Sequence, residues 1–225
     1  NWILKKLSNS KFGNNINKFI EKKFPSKKEL ANSKYISCHG VPTSKESLEK
    51  NDMVCPECNF HHYLSPTSRY NMWFGQNNWL EIKSGEPPPD PYQWEDTKKY
   101  IHRLKDAKKN TGQANAILSC EARIDNIDVV MSAVDFKFIG GSISIAEGEN
   151  VLTAVSKAIE KKVPYIFVSA SGGMRMMTNI LSLMQMTRMT IAINELKAAG
   201  LFFGVVVTSP TTGGTAARIV SLSDI

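Results

Sequence analysis

In the second half of the chain, short apolar runs of strand length alternate with longer stretches of helical length. Residues 116–124 and 127–135 are β-rich runs separated by Asp125-Asn126, a pair that tolerates positive φ, which predicts a hairpin. Residues 163–169 and 201–208 are continuous apolar runs that read as buried strands. Residues from about 148 to 162, from 174 to 199, and from 215 to 222 read as the intervening helices, the middle one free of proline and glycine. From Met176 to Thr187 that helix has no charged residue, and six of the chain's nine methionines lie between 174 and 189. An apolar surface all round a helix belongs in a core or a subunit interface, and the methionines read as flexible packing. Earlier in the chain, Asp96 to Lys105 looks helical, with Tyr100, Ile101 and Leu104 on one side and a stop at Gly112. Repeated strand–helix units of this kind predict an α/β spiral.

Glycine pairs punctuate the pattern. Gly140-Gly141, Gly172-Gly173 and Gly213-Gly214 each follow an apolar strand. The middle pair, in Val168-Ser-Ala-Ser-Gly-Gly-Met-Arg-Met176, is the centre of the reading. Two glycines let the backbone turn sharply and bring unhindered amides close to a ligand. At the expected start of helix 174–199 those amides gain the helix dipole, which favours negative charge. Such fixed donors form an oxyanion hole. One glycine pair alone is weak evidence, because a tight strand-to-helix turn needs glycine for steric reasons.

Three such turns in this order, Phe138-Ile-Gly-Gly-Ser142, the 168–176 stretch and Ser209-Pro-Thr-Thr-Gly-Gly214, with Leu181-Ser-Leu-Met-Gln-Met186 between the last two, are more specific. Together they resemble the β subunit of the bacterial and plastid acetyl-CoA carboxylase carboxyltransferase, and the resemblance covers nearly the whole chain. It implies a crotonase-like (ClpP/crotonase) ββα spiral preceded by a small zinc-ribbon module. It also implies a composite enzyme in which an α subunit, a biotin carboxyl carrier protein and biotin carboxylase are partners. The reaction moves a carboxyl group from carboxybiotin to acetyl-CoA, a coenzyme A thioester, to give malonyl-CoA for fatty-acid synthesis. On that resemblance Gly172 and Gly173 are the catalytic donors, while Gly140, Gly141, Gly213 and Gly214 shape the substrate site. Neither a Ser–His–Asp nor a Cys–His arrangement is evident, and the four histidines (39, 61, 62 and 102) lie away from the glycine turns. This fits a mechanism in which biotin itself takes the proton.

Cysteine usage changes the picture of the N-terminal part. The four cysteines, in a sequence without the long apolar region of a secretory signal, argue for metal or free thiols over a disulfide framework. Cys55-Pro-Glu-Cys58 has the spacing of a zinc knuckle. A second pair is incomplete: either Tyr35 takes the position of a ligand before Cys38, or Cys38 is the first ligand and Val41 replaces the second. His39, His61 or His62 can supply a fourth donor, giving Cys38, Cys55, Cys58 and His39 as the candidate set, and a degenerate, metal-free knuckle competes with it. Cys120, inside a predicted strand, reads as a buried thiol.

The organisation expected is a basic leader at 1–34, a zinc-ribbon-like module at 35–64, a connector at 65–113 with an extended Pro-rich linker at 85–91, and the carboxyltransferase domain from 114. The formal charge of +7 resides in the leader, which carries nine Lys and two Glu. Ending at Ile225, the chain stops mid-domain by the family's measure, so the expectation is a fragment or a core completed by another chain. No window approaches a membrane span, and a cytoplasmic or plastid-stroma location is expected.

Several residues depart from the family's pattern. Met174 stands for a small Ala beside the glycine pair. Ser142–Glu147 lacks a further Gly, Met177-Thr-Asn179 replaces a Gln-Glu-small segment, and Thr215-Ala-Ala-Arg218 differs from Val-Ser/Thr-Ala-Ser. These departures imply impaired catalysis. Two alternatives follow: a non-catalytic assembly or structural paralogue, and a nucleic-acid-binding protein built on the Lys-rich arm and ribbon. The second leaves the glycine turns unexplained, and residues 55–64 carry little positive charge.

Overall fold

A computed structural model of the chain describes residues 35–225. The expected basic leader lies outside the described residues. The described chain forms two units, one ending at Leu64 and one spanning Ser65–Ile225.

In the first unit, β1 (Tyr35–Cys38) and β2 (Val41–Ser44) form an antiparallel hairpin. His39 and Gly40 both have positive φ, as a two-residue primed turn requires. Helix α1 (Lys45–Lys50) starts on a Ser44 side-chain cap. Cys38, Leu48 and Cys55 make a small buried cluster.

The second unit is built on a five-stranded sheet in the order β3-β4-β5-β6-β7. It comprises β3 (Trp79–Glu81), β4 (Ile117–Ile124), β5 (Ile127–Val134), β6 (Tyr165–Ser171) and β7 (Phe203–Thr211). Strands β3 to β5 pair antiparallel, whereas β5, β6 and β7 pair parallel. The expected hairpin is present, its turn at Asp125-Asn126 with both residues at positive φ. Parallel neighbours need crossovers, and here they are α4 (Ile145–Lys161) and α5 (Asn179–Ala198).

Alternation along β4 and β5 sends residues to two faces. Ile117, Val130 and Val134 join Tyr165, Phe167, Phe203 and the apolar sides of α4 and α5 in the main core. Leu118, Cys120, Met131 and Ala133 face the other way, onto Tyr70 and Phe74 of α2 (Pro66–Phe74). Cys120 is a buried free thiol, as expected, and burial pushes it up to about 12.

Two expectations are corrected. Residues 65–113 are not merely a connector: α2 covers a sheet face, the Tyr70 hydroxyl donates to the Leu118 carbonyl at 2.7 Å, and β3 extends the sheet. Helix α3 begins at Tyr100 and runs to Thr111, with Gly112 as its left-handed cap; Arg103 pairs with Asp96 before its start and Asp106 with Lys98. Helix α4 begins three residues before the expected start at 148, because Glu147 closes a capping box on Ser144.

Candidate active site

The three glycine turns, far apart in sequence, meet beyond the carboxyl ends of β5, β6 and β7. The Gly172 amide donates to the Gly140 carbonyl at 2.9 Å. On the other side, a Cβ placed on Gly213 would lie 3.3 Å from the Gly172 carbonyl and 3.4 Å from Gly173 Cα. A Cβ on Gly141 would meet the Ala170 carbonyl oxygen at 2.1 Å, so a side chain there is excluded. Gly141, Gly173 and Gly213 also have φ of +61°, +111° and +58°. Glycine is therefore demanded both by close approach and by backbone conformation. In parallel α/β sheets this end of the strands is where ligands bind.

The local shape differs from the expected strand–glycine–helix. After Gly173, Met174 bridges to Ile143 in parallel fashion, and a 3-10 turn (Met176–Thr178) intervenes before α5. Gly172 and Gly173 therefore do not open a helix, and this is a correction. The pair that does is Gly213-Gly214: Gly214 is in αR conformation and leads into the last helical segment, Thr215–Ile219 continued by Val220–Leu222. A second correction concerns the donors. Gly173 donates its amide to Ser171 Oγ at 3.0 Å, and Gly172 is held by Gly140, so both amides already have internal acceptors. Ser171 Oγ also lies 2.9 Å from Thr215 Oγ1. Gly172 is exposed and Gly173 buried.

Met174, flagged for its size, packs over the third turn: its Cγ would be 2.8 Å from a Cβ on Gly214, with Met186 Sδ at 3.2 Å. Its bulk thus falls on Gly214.

Sequence reasoning missed Arg175. It is 2% exposed, and its Nη2 reaches Glu147 Oε1 at 2.7 Å, with Glu147 fully buried. Its Nε donates to Ser142 Oγ at 3.0 Å, Nη2 to the Ser142 carbonyl at 2.5 Å, and Nη1 to Tyr100 Oη at 3.0 Å. Burial alone would lower the Arg175 pKa; the Glu147 charge and Tyr100 more than reverse this. The available signal was its isolation, since no other charged residue occurs between Lys162 and Arg188. A cavity of about 840 Å³ adjoins this group, bounded by Tyr100, Glu147, Asn150, Arg175 and the 85–89 segment.

In the first unit, the Sγ atoms of Cys38, Cys55 and Cys58 lie within 4.8 Å of one another, and Cys38 and Cys58 are 3.3 Å apart. His39 Nδ1 is 3.4 Å from Cys58 Sγ and 3.7 Å from Cys38 Sγ. A tetrahedral zinc site with ordinary bond lengths has S···S of about 3.8 Å and N···S of about 3.5 Å. The donor set fits. Tyr35 and Val41, the two positions weighed for a missing thiolate, are both exposed, and neither replaces a ligand. Burial raises the Cys38 thiol to about 12, while the Thr43 hydroxyl lowers Cys55 to about 6. His62 Nε2 is buried without a partner, and Phe60 stacks edge-on against both His39 and His62.

Comparison with known proteins places these features. Residues 95–224 match the carboxyl transferase domain family. The acetyl-coenzyme A carboxylase carboxyl transferase subunit beta of Pelagibacter ubique is 45% identical over 225 residues, which is all of this chain and 72% of that protein. The protein of the same name from Methylobacterium sp. (strain 4-46) is 38% identical over 201 residues, 88% of this chain and 66% of the relative. Among solved structures, transcarboxylase 12S with hydrolysed methylmalonyl-coenzyme A bound has a TM-score of 0.57 at 20% identity, over 81% of this chain and 31% of that one. That likeness carries the crotonase-like fold.

Proposed function

The chain belongs to the acetyl-CoA carboxylase carboxyl transferase subunit beta family, and from that premise we propose that it transfers a carboxyl group to acetyl-CoA as part of a complex. The observation that carries this reading is the meeting of the three glycine turns at the carboxyl ends of parallel strands. Carboxybiotin on a carrier partner supplies the carboxyl group, and an α subunit supplies the facing half of the site.

What this chain does is hold the thioester. Removing a proton from the acetyl group places charge on the thioester oxygen, and donors fixed before reaction stabilise it. Of the expected pair, the Gly172 amide is committed to a main-chain carbonyl. The Gly173 amide is held only by the Ser171 hydroxyl, an uncharged acceptor that an anionic oxygen displaces by turning the Ser171 side chain, at the cost of its contact with Thr215. The oxygen thus takes the Gly173 amide, with the Gly213-Gly214 turn forming the adjacent wall. Gly140 and Gly141 set the depth of the turn on the other side.

The cysteine unit holds a structural zinc through Cys38, Cys55, Cys58 and His39. It would supply folding energy and no chemistry. Because the Cys38 proton must leave before zinc binds, apparent zinc affinity should fall about tenfold or more per unit of pH between 8 and 6. Below about 6, where Cys55 also protonates, the fall should steepen. Zinc titration against a competing chelator at several pH values reads this directly.

The function is tested by combining the chain with its co-purified α partner, a carboxybiotin donor and acetyl-CoA. Malonyl-CoA formation is the expected result, lost about 100-fold or more in Gly173→Ala. A complex that assembles and makes no malonyl-CoA would establish the assembly-subunit alternative instead.

A further inference from the structure

We propose that Arg175 is a positioning residue that clamps the turns at 140–142 and 172–174 into one rigid unit, so that the shape of the thioester site depends on a cation that never touches substrate. The inference rests on the carboxyl-transfer reading for its activity readout, and on geometry alone for its structural one.

Arg175 serves both turns at once. Through its main chain it follows the second turn and donates to the Ile143 carbonyl at 2.8 Å, while the Ile143 amide donates to the Gly173 carbonyl at 2.9 Å. Through its side chain it returns to the first turn, with two contacts on Ser142, the residue after Gly141. The remaining donors reach Glu147 and Tyr100. Glu147 is fixed in turn by the amides of Ser144 and Ala116, each at 3.0 Å, and so ties the clamp to the start of α4 and the start of β4. Phe138, just before the first glycine pair, lies under the guanidinium, 5.6 Å from its centre.

A planar fork with five N–H donors can satisfy a carboxylate, a carbonyl and two hydroxyls in several directions; an ammonium has three donors at one point. Lysine keeps the charge that balances Glu147 and loses the reach to Ser142 and Tyr100. The residue is thus needed for shape as well as for charge. Apart from the main-chain bonds at Ile143, which make the Ile143–Met174 bridge and survive a change of side chain, the direct link between the turns is the Gly172–Gly140 bond.

The test uses the full chain in complex with its carboxyltransferase partner, comparing wild type with Arg175→Lys and Tyr100→Phe. Two quantities are read: steady-state carboxyl transfer, and hydrogen–deuterium exchange of peptides covering 139–143 and 171–176. The expected result for Arg175→Lys is a kcat reduced tenfold or more, an acetyl-CoA KM changed less than threefold, and faster exchange in both peptides while the peptide covering β7 is unchanged. Tyr100→Phe should show the same pattern to a smaller degree. Unchanged exchange in both turns overturns the clamp, whatever happens to activity. So does a loss of kcat no greater than in a control variant of equal thermal stability altered on the opposite sheet face. If the wild-type complex makes no malonyl-CoA, the proposed function fails, and the exchange data alone decide whether Arg175 holds the turns.

Discussion

Helices α4 and α5 pack on the same sheet face and each follows a glycine pair, yet they begin differently. Helix α4 starts at Ile145, soon after Gly141, on a capping box, and its buried side runs through Val151, Ala154, Val155 and Ala158. Helix α5 starts at Asn179, after a bridge and a 3-10 turn, with no side-chain cap. Its first half is turned about: Ser182 and Gln185 are buried, whereas Ile180, Leu183 and Met184 are half exposed. Apolar burial resumes at Met189. The difference has a physical cause. The Ser182 hydroxyl bonds the Arg175 carbonyl at 2.7 Å, and Gln185 lies against Gly148 of α4. The helix is oriented by polar contacts with the turn before it, so hydropathy does not predict which side faces in.

The strongest way to break this comparison is at the turns themselves. Gly141→Ala should prevent folding or cost more than about 4 kcal/mol, because its Cβ would overlap a carbonyl oxygen at positive φ. Gly140→Ala has open space and a φ of +64°, and should cost only about 1–2 kcal/mol. Denaturant midpoints on the two variants separate close approach from backbone conformation. Next comes the seam between the helices. Gly148→Ala would place its Cβ 2.2 Å from Gln185 Oε1, and forcing that side chain aside should cost about 1–3 kcal/mol. Ser182→Ala leaves the buried Arg175 carbonyl one donor short and should cost about 1 kcal/mol.

Leu183→Gln is the sharpest test of the reversed half, since it should change the stability of the chain by itself by no more than about 0.5 kcal/mol. A loss of several times that amount would mean Leu183 is core. The smallest effect lies at the far end of α5, where the Lys197 ammonium and the Phe203 amide hold the Asp224 carboxyl below its usual range. A depressed carboxylate stabilises the fold above its unfolded pKa and loses that contribution as pH falls through the folded value. Asp224→Asn should therefore lower the thermal midpoint slightly at neutral pH and cease to differ from wild type in strong acid.

Much of the fold was legible where pattern and packing agree. Two β-rich runs around Asp125-Asn126 predict a hairpin, and one forms. Strand β6 is apolar because both its faces are covered, whereas β7, expected as a buried strand, is buried only at Phe203 and Gly204 and leaves Val206 and Val207 exposed at the sheet edge. The glycine pairs do come together in space, but in a form other than the expected strand–glycine–helix. A sequence shows that glycine is allowed; it does not show whether the amide that follows finds an acceptor, and Ser171 and Gly140 are such acceptors. Strand β3 was invisible because three residues carry no period, and α2 because its buried side consists of only Pro66, Tyr70 and Phe74. Arg175 was read past because a single charge in an apolar stretch has no repeat to betray it. The cysteine unit was legible in part: spacing gave Cys55 and Cys58, and only the primed turn at His39-Gly40 explains how a histidine next to Cys38 comes to lie beside Cys58.

The Ser171 hydroxyl on the Gly173 amide has one more consequence under the carboxyl-transfer reading. A neutral thioester carbonyl arriving there would exchange one uncharged acceptor for another and gain almost nothing. An enolate oxygen would win the exchange, because hydrogen bonds to a charged acceptor are roughly twice as strong as neutral ones. The resident side chain thus acts as a reference that incoming oxygens must outbid, and only the species on the way to product does so.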